Sequence, residues 1–225
     1  MLTLALDTAT HDLVVGVGDQ QSRRVDAQRV IRTRSHNELL VPTVNELLAE
    51  AGCTYGALDA IVVGVGPGPF TGLRVGMATA SAFGQALGVP VYGVCTHDAI
   101  AAEAAEAGGT EGKSVLVVTD ARRREVYWSL YRDGRRVDGP HVSAASAIDV
   151  EGAEVDLLVV PEALRETVKV AAGEVRDLAP GVHGLLAACD TSVAPGPLTP
   201  LYLRRPDAVP PKPRPRSAAL PDVAL

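Results

Sequence analysis

Two aspartates stand where apolar, β-branched runs give way to turns: Asp7 after residues 2–6 and Asp120 after residues 114–119. A carboxylate at such a strand end can hold Mg²⁺ or orient a water toward a phosphate. It can equally cap its own turn through the backbone, a role aspartate favours. Both roles stay open for Asp7; for Asp120 the turn role is favoured. The run Arg122-Arg123-Arg124 lies in the next turn, where such a run is solvated or meets phosphates. Elsewhere Gly66-Pro67-Gly68-Pro69 interrupts the chain between an apolar run and a helical stretch that can start at Thr71. Glycines in such a loop let backbone N–H groups face a ligand or let another chain approach. This loop is not a Walker P-loop, because Leu73-Arg74 follows Gly72 where Lys-Ser/Thr is needed. There is no G-x-S-x-G elbow and no H-E-x-x-H pair. The histidines are His11, His36, His97, His141 and His183, and no two have the spacing of helical metal ligands. Leu40 stands one turn after His36, where a second ligand would be needed. No metal site is expected.

The elements that must position these residues follow from patterning. Residues 2–6, 13–17 and 23–31 read as three strands joined by tight turns, an antiparallel meander. Ser35-His36-Asn37-Glu38 has capping-box spacing and opens a helix that ends near Gly52. Residues 60–65 form a buried strand, followed by the glycine loop, a helix and a strand over 89–94, together an α/β unit. Thr96 can cap a third helix over 99–107. In the second half, residues 114–119, 125–131 and 155–160 read as strands. Asp133-Gly134 makes a hairpin turn, and helical stretches start at Pro161 and Val182. Each half has an apolar strand ending in Asp, a turn and further strands, which predicts two related domains around a cleft.

The helix after the glycine loop is unusual. Between Gly72 and Gly88 its one charge is Arg74, and Gly72, Gly76, Ala80, Gly84 and Gly88 recur every fourth position. Interior glycine costs about 1 kcal/mol relative to alanine, so close packing must offset several of them. That packing is either against the chain's own sheet or, on the other side, against a partner protein. The helix before it carries a wide stripe of Leu39, Leu40, Val41, Val44, Leu47 and Leu48.

With 47% hydrophobic and 21% charged residues, the 225-residue chain fits a globular protein of one large or two small domains. A net charge of -6 gives the whole molecule no strong pull toward nucleic acid. Cys53, Cys95 and Cys189 are far apart, which suggests reduced thiols and a cytoplasmic setting. The first apolar run reads as a strand and not a signal peptide, and no membrane span is expected. Beyond Pro206, Pro210, Pro211, Pro213 and Pro215 with interspersed basic residues predict a disordered tail.

Five ordered segments carry a family resemblance: LALDTAT, SHNELLVPTVNELL, VGVGPGPFTGLRVGMATA, TDARRREVYWSLY and PLYLRRP. Over residues 2–206 the chain resembles the bacterial TsaB family of tRNA threonylcarbamoyladenosine biosynthesis proteins. The resemblance implies an α/β protein of the actin-like ATPase fold with two βββαβα-type domains. These would span 1–97 and 98–205, with a tail over 206–225. It implies a non-catalytic scaffold that activates a TsaD-like paralogue, assembles with a TsaE-like ATPase and reaches tRNA through that complex. TsaD carries a His-x-x-x-His metal pair, and here Leu40 replaces the second histidine. The implied partner interface, with TsaD or in a homodimer of the isolated chain, comprises His36, Leu39, Leu40, Leu47, Gly72, Leu73, Gly76, Met77, Ala80 and Gly84. No cofactor of its own is implied, though ATP or ADP has a place at the complex interface. The alternative is a stand-alone small-molecule kinase or ATPase of the same fold. Its nucleotide-binding candidates are Asp7, Thr8, Gly66, Gly68, Thr71 and Asp120. A peptidase fits least, since no nucleophile and base are paired.

Overall fold

The computed structural model describes residues 1–204, so the stretch expected to form the tail lies outside the described residues. Strands β1 (Leu2–Asp7), β2 (Asp12–Asp19) and β3 (Arg24–Arg32) form the antiparallel meander. Helix α1 (His36–Glu50) then leads to β4 (Ala60–Gly64), α2 (Phe70–Leu87), β5 (Val91–Val94) and α3 (Thr96–Glu106). β4 pairs parallel to β1, and β5 to β4, giving the order β3-β2-β1-β4-β5. Strands β6 (Ser114–Arg122), β7 (Glu125–Arg132), β8 (Arg135–Ala144), β9 (Val155–Val159) and β10 (Ala172–Arg176) make a second sheet. Its order, β8-β7-β6-β9-β10, repeats the first strand for strand, with the same antiparallel and parallel pairings. This duplicated plan is the one that the family resemblance implies, two halves of like topology.

The second half is abbreviated. Where the first has α1 and α2, it has the single 3₁₀ turns Ala145–Ala147 and Glu162–Leu164. The helix expected from Pro161 is therefore reduced to one turn. Helix α4 (Val182–Ala187) ends the repeat.

Alternation along the strands sorts the core into layers. Leu4, Leu6, Leu13, Val15, Ile61 and Val63 face α1 and α2. Ala5, Val14 and Val62 face the opposite way, onto Ala99 of α3 and Val182, Leu185 and Leu186 of α4. The other side of α3, through Ile100 and Ala104, packs on Val115, Val117 and Leu157 of the second sheet. So α3 lies between the sheets, and α4 returns to cover the first one.

Two expected caps do not form. Ser35 makes no side-chain cap bond; its carbonyl instead accepts the N–H groups of Glu38 and Leu39. Cys95, not Thr96, is the N-cap residue of α3, and the Thr96 hydroxyl is engaged elsewhere.

The glycine stripe of α2 turns inward. The Thr8 hydroxyl donates to the Gly72 carbonyl at 2.7 Å, and the Gly76 N–H donates to Thr8 Oγ1 at 3.1 Å. A Cβ on Gly76 would overlap Thr8 Oγ1, one on Gly72 the Thr8 carbonyl, and one on Gly84 the Val91 side chain. The expected partner-interface residues Leu40, Leu47, Leu73, Gly76, Met77, Ala80 and Gly84 are accordingly buried in the chain's own core. Small residues permit close approach, and here β1 and β5 of the same sheet are what approaches. Facing outward instead are Val41 on α1 and Thr71, Arg74, Ala78, Ser81 and Ala82 on α2.

Candidate functional site

β1 ends at Asp7, whose carboxylate is fully enclosed. Its Oδ1 accepts the Ala9 N–H at 2.6 Å and its Oδ2 the Thr96 hydroxyl at 2.7 Å. Gly64 on the neighbouring strand leaves the space that Oδ2 fills. Burial pushes the Asp7 carboxyl up to about 6, despite two hydrogen bonds that favour the charged form. Asp7 therefore ties the end of β1 to the start of α3 and opens to no ligand. Gly66 and Gly68 are buried beside it. The Gly66 carbonyl accepts the Thr96 N–H at 2.7 Å, and Gly68 lies against the Ala9 carbonyl too closely for any side chain.

Asp120 has the turn role. Its Oδ1 accepts the Arg122 N–H at 2.7 Å, and its Oδ2 lies 3.5 Å from His11 Nε2. It lines a hollow of about 100 Å³. An adjoining, larger cleft of about 810 Å³, sharing Thr10, His11 and Pro69 with it, opens where the first turns of α1 and α2, the β6–β7 turn and the segment ending at Arg204 converge. Thr8, Gly68 and Thr71 reach this cleft. Of the other nucleotide-binding candidates, Asp7 and Gly66 are sealed in, and Asp120 lines the adjoining hollow. His36 lines the large cleft, while Leu39 and Gly72 are half-buried at the edges of their helices.

Three residues at the start of α3, which sequence reasoning missed, join the two halves. Thr96 binds Asp7. His97 is fully buried, with Nδ1 2.8 Å from Ser129 Oγ and Nε2 2.8 Å from Thr119 Oγ1. Asp98 accepts the Tyr131 hydroxyl at 2.7 Å and pairs with Arg136. A histidine beside a serine suggests a nucleophile and base, but Ser129 is itself fully buried on β7. Burial lowers the His97 pKa to about 3, so it is neutral. The one signal in sequence was three consecutive polar residues, Thr96-His97-Asp98, after a strand, and it named none of their partners. Cys95 and Cys189 are free thiols held up at about 11 by burial, and so unreactive. Among the described residues, no group of three or more His, Cys, Asp or Glu is placed to hold a metal, and no helix is long and apolar enough to cross a membrane.

Comparisons with known proteins agree with this architecture. The model of the family described as TsaD, tRNA N6-adenosine threonylcarbamoyltransferase, matches residues 30–171. An uncharacterized protein of Mycobacterium tuberculosis is 49% identical over 208 residues, covering 92% of this chain and 93% of the relative. The tRNA threonylcarbamoyladenosine biosynthesis protein TsaB of Escherichia coli is 30% identical over 175 residues, covering 77% of this chain and 69% of the relative. The solved structure of YeaZ from Pseudomonas aeruginosa superposes with a TM-score of 0.72 at 29% identity, over 83% of this chain and 89% of that one. With the duplicated fold, the ordered motifs and these matches together, the chain belongs to the TsaB family.

Proposed function

We propose that this chain is the non-catalytic scaffold subunit of the assembly that attaches a threonylcarbamoyl group to the tRNA adenosine beside the anticodon. It works with a TsaD-like catalytic paralogue and a TsaE-like ATPase in the cytoplasm, and it pairs with itself when isolated. Any ATP or ADP belongs to the assembled complex and not to this chain alone. The observation that supports this reading best is the enclosure of Asp7. The residue that a kinase of this fold would turn toward phosphate is spent on Ala9 and Thr96 inside the protein. Leu40, where TsaD has its second metal histidine, is buried in the core.

The partner surface in this proposal is the outward side of α1 and α2, with Val41, Ala78 and Ala82 exposed, and not the inward glycine stripe. Reconstitution with the paralogue, the ATPase and tRNA tests it. Leaving out the chain should abolish transfer, and Ala82→Arg should reduce it at least ten-fold while the variant stays folded. Asp7→Asn should change it less than about two-fold. An essential Asp7 with a tolerant helix face would replace the scaffold reading with the kinase-like one.

A further inference from the structure

The large cleft is basic in an acidic protein. Arg34, Arg122, Arg123 and Arg204 line it, and among the described residues no Asp or Glu does, although the whole chain carries a net charge of -6. Two carboxylates that touch its lining residues are already engaged: Asp120 by His11 and the Arg122 backbone, and Glu125 by Arg204 at 3.2 Å. Arg34 and Arg122 are exposed and make no ion pair among the described residues. His36 Nε2 is a buried atom with no hydrogen-bond partner among them.

The backbone is also strained to present this charge. Arg122, Arg123 and Arg124 have φ of 63°, 53° and 66°. Left-handed conformations cost a non-glycine residue about 1 kcal/mol or more each, and glycine would relieve them. Three arginines in succession hold that turn at the mouth of the cleft. The first turns of α1 and α2 open into it as well, and neither helix has a side-chain cap. The N-terminal ends of the two helix dipoles add partial positive charge.

On the same rim Phe70 and Tyr202 are 37% and 38% exposed, with ring centroids 5.0 Å apart. Arg74 lies 3.8 Å over the Phe70 ring centroid and its Nε donates to the Tyr202 hydroxyl at 3.2 Å, so Phe70 and Arg74 brace Tyr202 as the exposed aromatic beside the arginines, the kind of side chain on which a nucleobase stacks. The charge is spread over the segment before α1, the β6–β7 turn and the segment at Arg204, and this suits successive phosphates better than one. Among the described residues no carboxylate lines the cleft to hold the Mg²⁺ that a nucleoside triphosphate brings.

We propose that this cleft binds a single-stranded RNA segment, its phosphates on Arg34 and Arg122 and a base against Tyr202. The proposal rests on charge and shape and is independent of the scaffold reading. Anisotropy of a fluorescein-labelled RNA hexamer titrated with the full chain tests it, without partner proteins. Binding should weaken steeply between about 50 and 200 mM salt, as phosphate contacts require. Arg34→Glu with Arg122→Glu should reduce affinity at least ten-fold, and Tyr202→Ala several-fold. Arg135→Glu, on an exposed arginine at the opposite end of β7, should leave it unchanged. Circular dichroism melting establishes that each variant is folded. No binding at low salt, or equal binding by the double variant, overturns the proposal. If AMP binds, dependent on the same two arginines, while the hexamer does not, the cleft serves a free nucleotide and the RNA assignment falls.

Discussion

Asp7 and His97 are both fully buried titratable side chains, and they act in opposite directions. His97 is neutral in the folded state down to a pKa of about 3, whereas an exposed histidine takes up its proton near 6.5. Between these values the unfolded chain binds more protons, so this residue's contribution to stability is lost as pH falls through that window. Asp7 is held protonated up to about 6 against an ordinary value of 3.8. Between those values the folded chain binds more protons, so its contribution falls as pH rises. From pH 3.8 to 6 the two slopes offset each other, each about 1.4 kcal/mol per pH unit. Asp7→Asn removes one of them. The stability of the variant minus that of the wild type, from urea unfolding across pH, should rise by about 3 kcal/mol from pH 3.8 to 6 and then level off. A flat difference would mean that Asp7 is not enclosed as described.

Among the elements, α2 depends most on what it lacks. Gly84 leaves room for Val91 of β5, and Gly76 for the Thr8 hydroxyl. Gly84→Ala should gain helix propensity but lose more to overlap, with a net cost of about 1–3 kcal/mol. Val91→Ala in the same chain should return part of that loss, and a double-mutant cycle in urea would measure the coupling. Gly76→Arg should fail to fold, because its side chain would enter the core at Thr8. Ala82→Arg, on the outward side, should keep its melting temperature within a few degrees and weaken self-association in sedimentation experiments. That contrast separates a packing role for the stripe from a partner role for the outer face.

At the level of the whole molecule, the two halves share their covering helices. α4 follows the second sheet yet packs on Ala5, Val14 and Val62 of the first. Gln20 Nε2 donates to the carbonyls of Leu186 and Cys189 at 2.9 and 3.1 Å, and the Leu201 N–H donates to the Val65 carbonyl at 2.8 Å. A fragment of residues 1–97 would therefore expose the apolar face that α3 and α4 cover. It should bind a hydrophobic dye and show no cooperative unfolding, whereas the full chain melts in one transition. Cooperative melting of the fragment would show that the first sheet is stable without α4.

Local pattern alone determined much of this protein. The β-branched runs named most strands, Gly52 and Gly88 closed α1 and α2, and Asp7 and Asp120 marked the repeated strand ends. The ordered motifs identified the family. These signals are legible because periodicity and turn chemistry act over a few residues. Strands β8 and β10 carried too little apolar alternation to stand out, and the single turn after Pro161 resembled a helix start. Tertiary structure alone decided which way the glycine stripe faces, since small residues allow an approach without naming what approaches. It enclosed Asp7 through Gly64 and Thr96, which lie far along the chain. It also assembled a basic cleft from Arg34, Arg122 and Arg204 in a chain whose total charge is negative. Burial and local potential are sums over residues distant in sequence, and only the folded arrangement of the two sheets sets them.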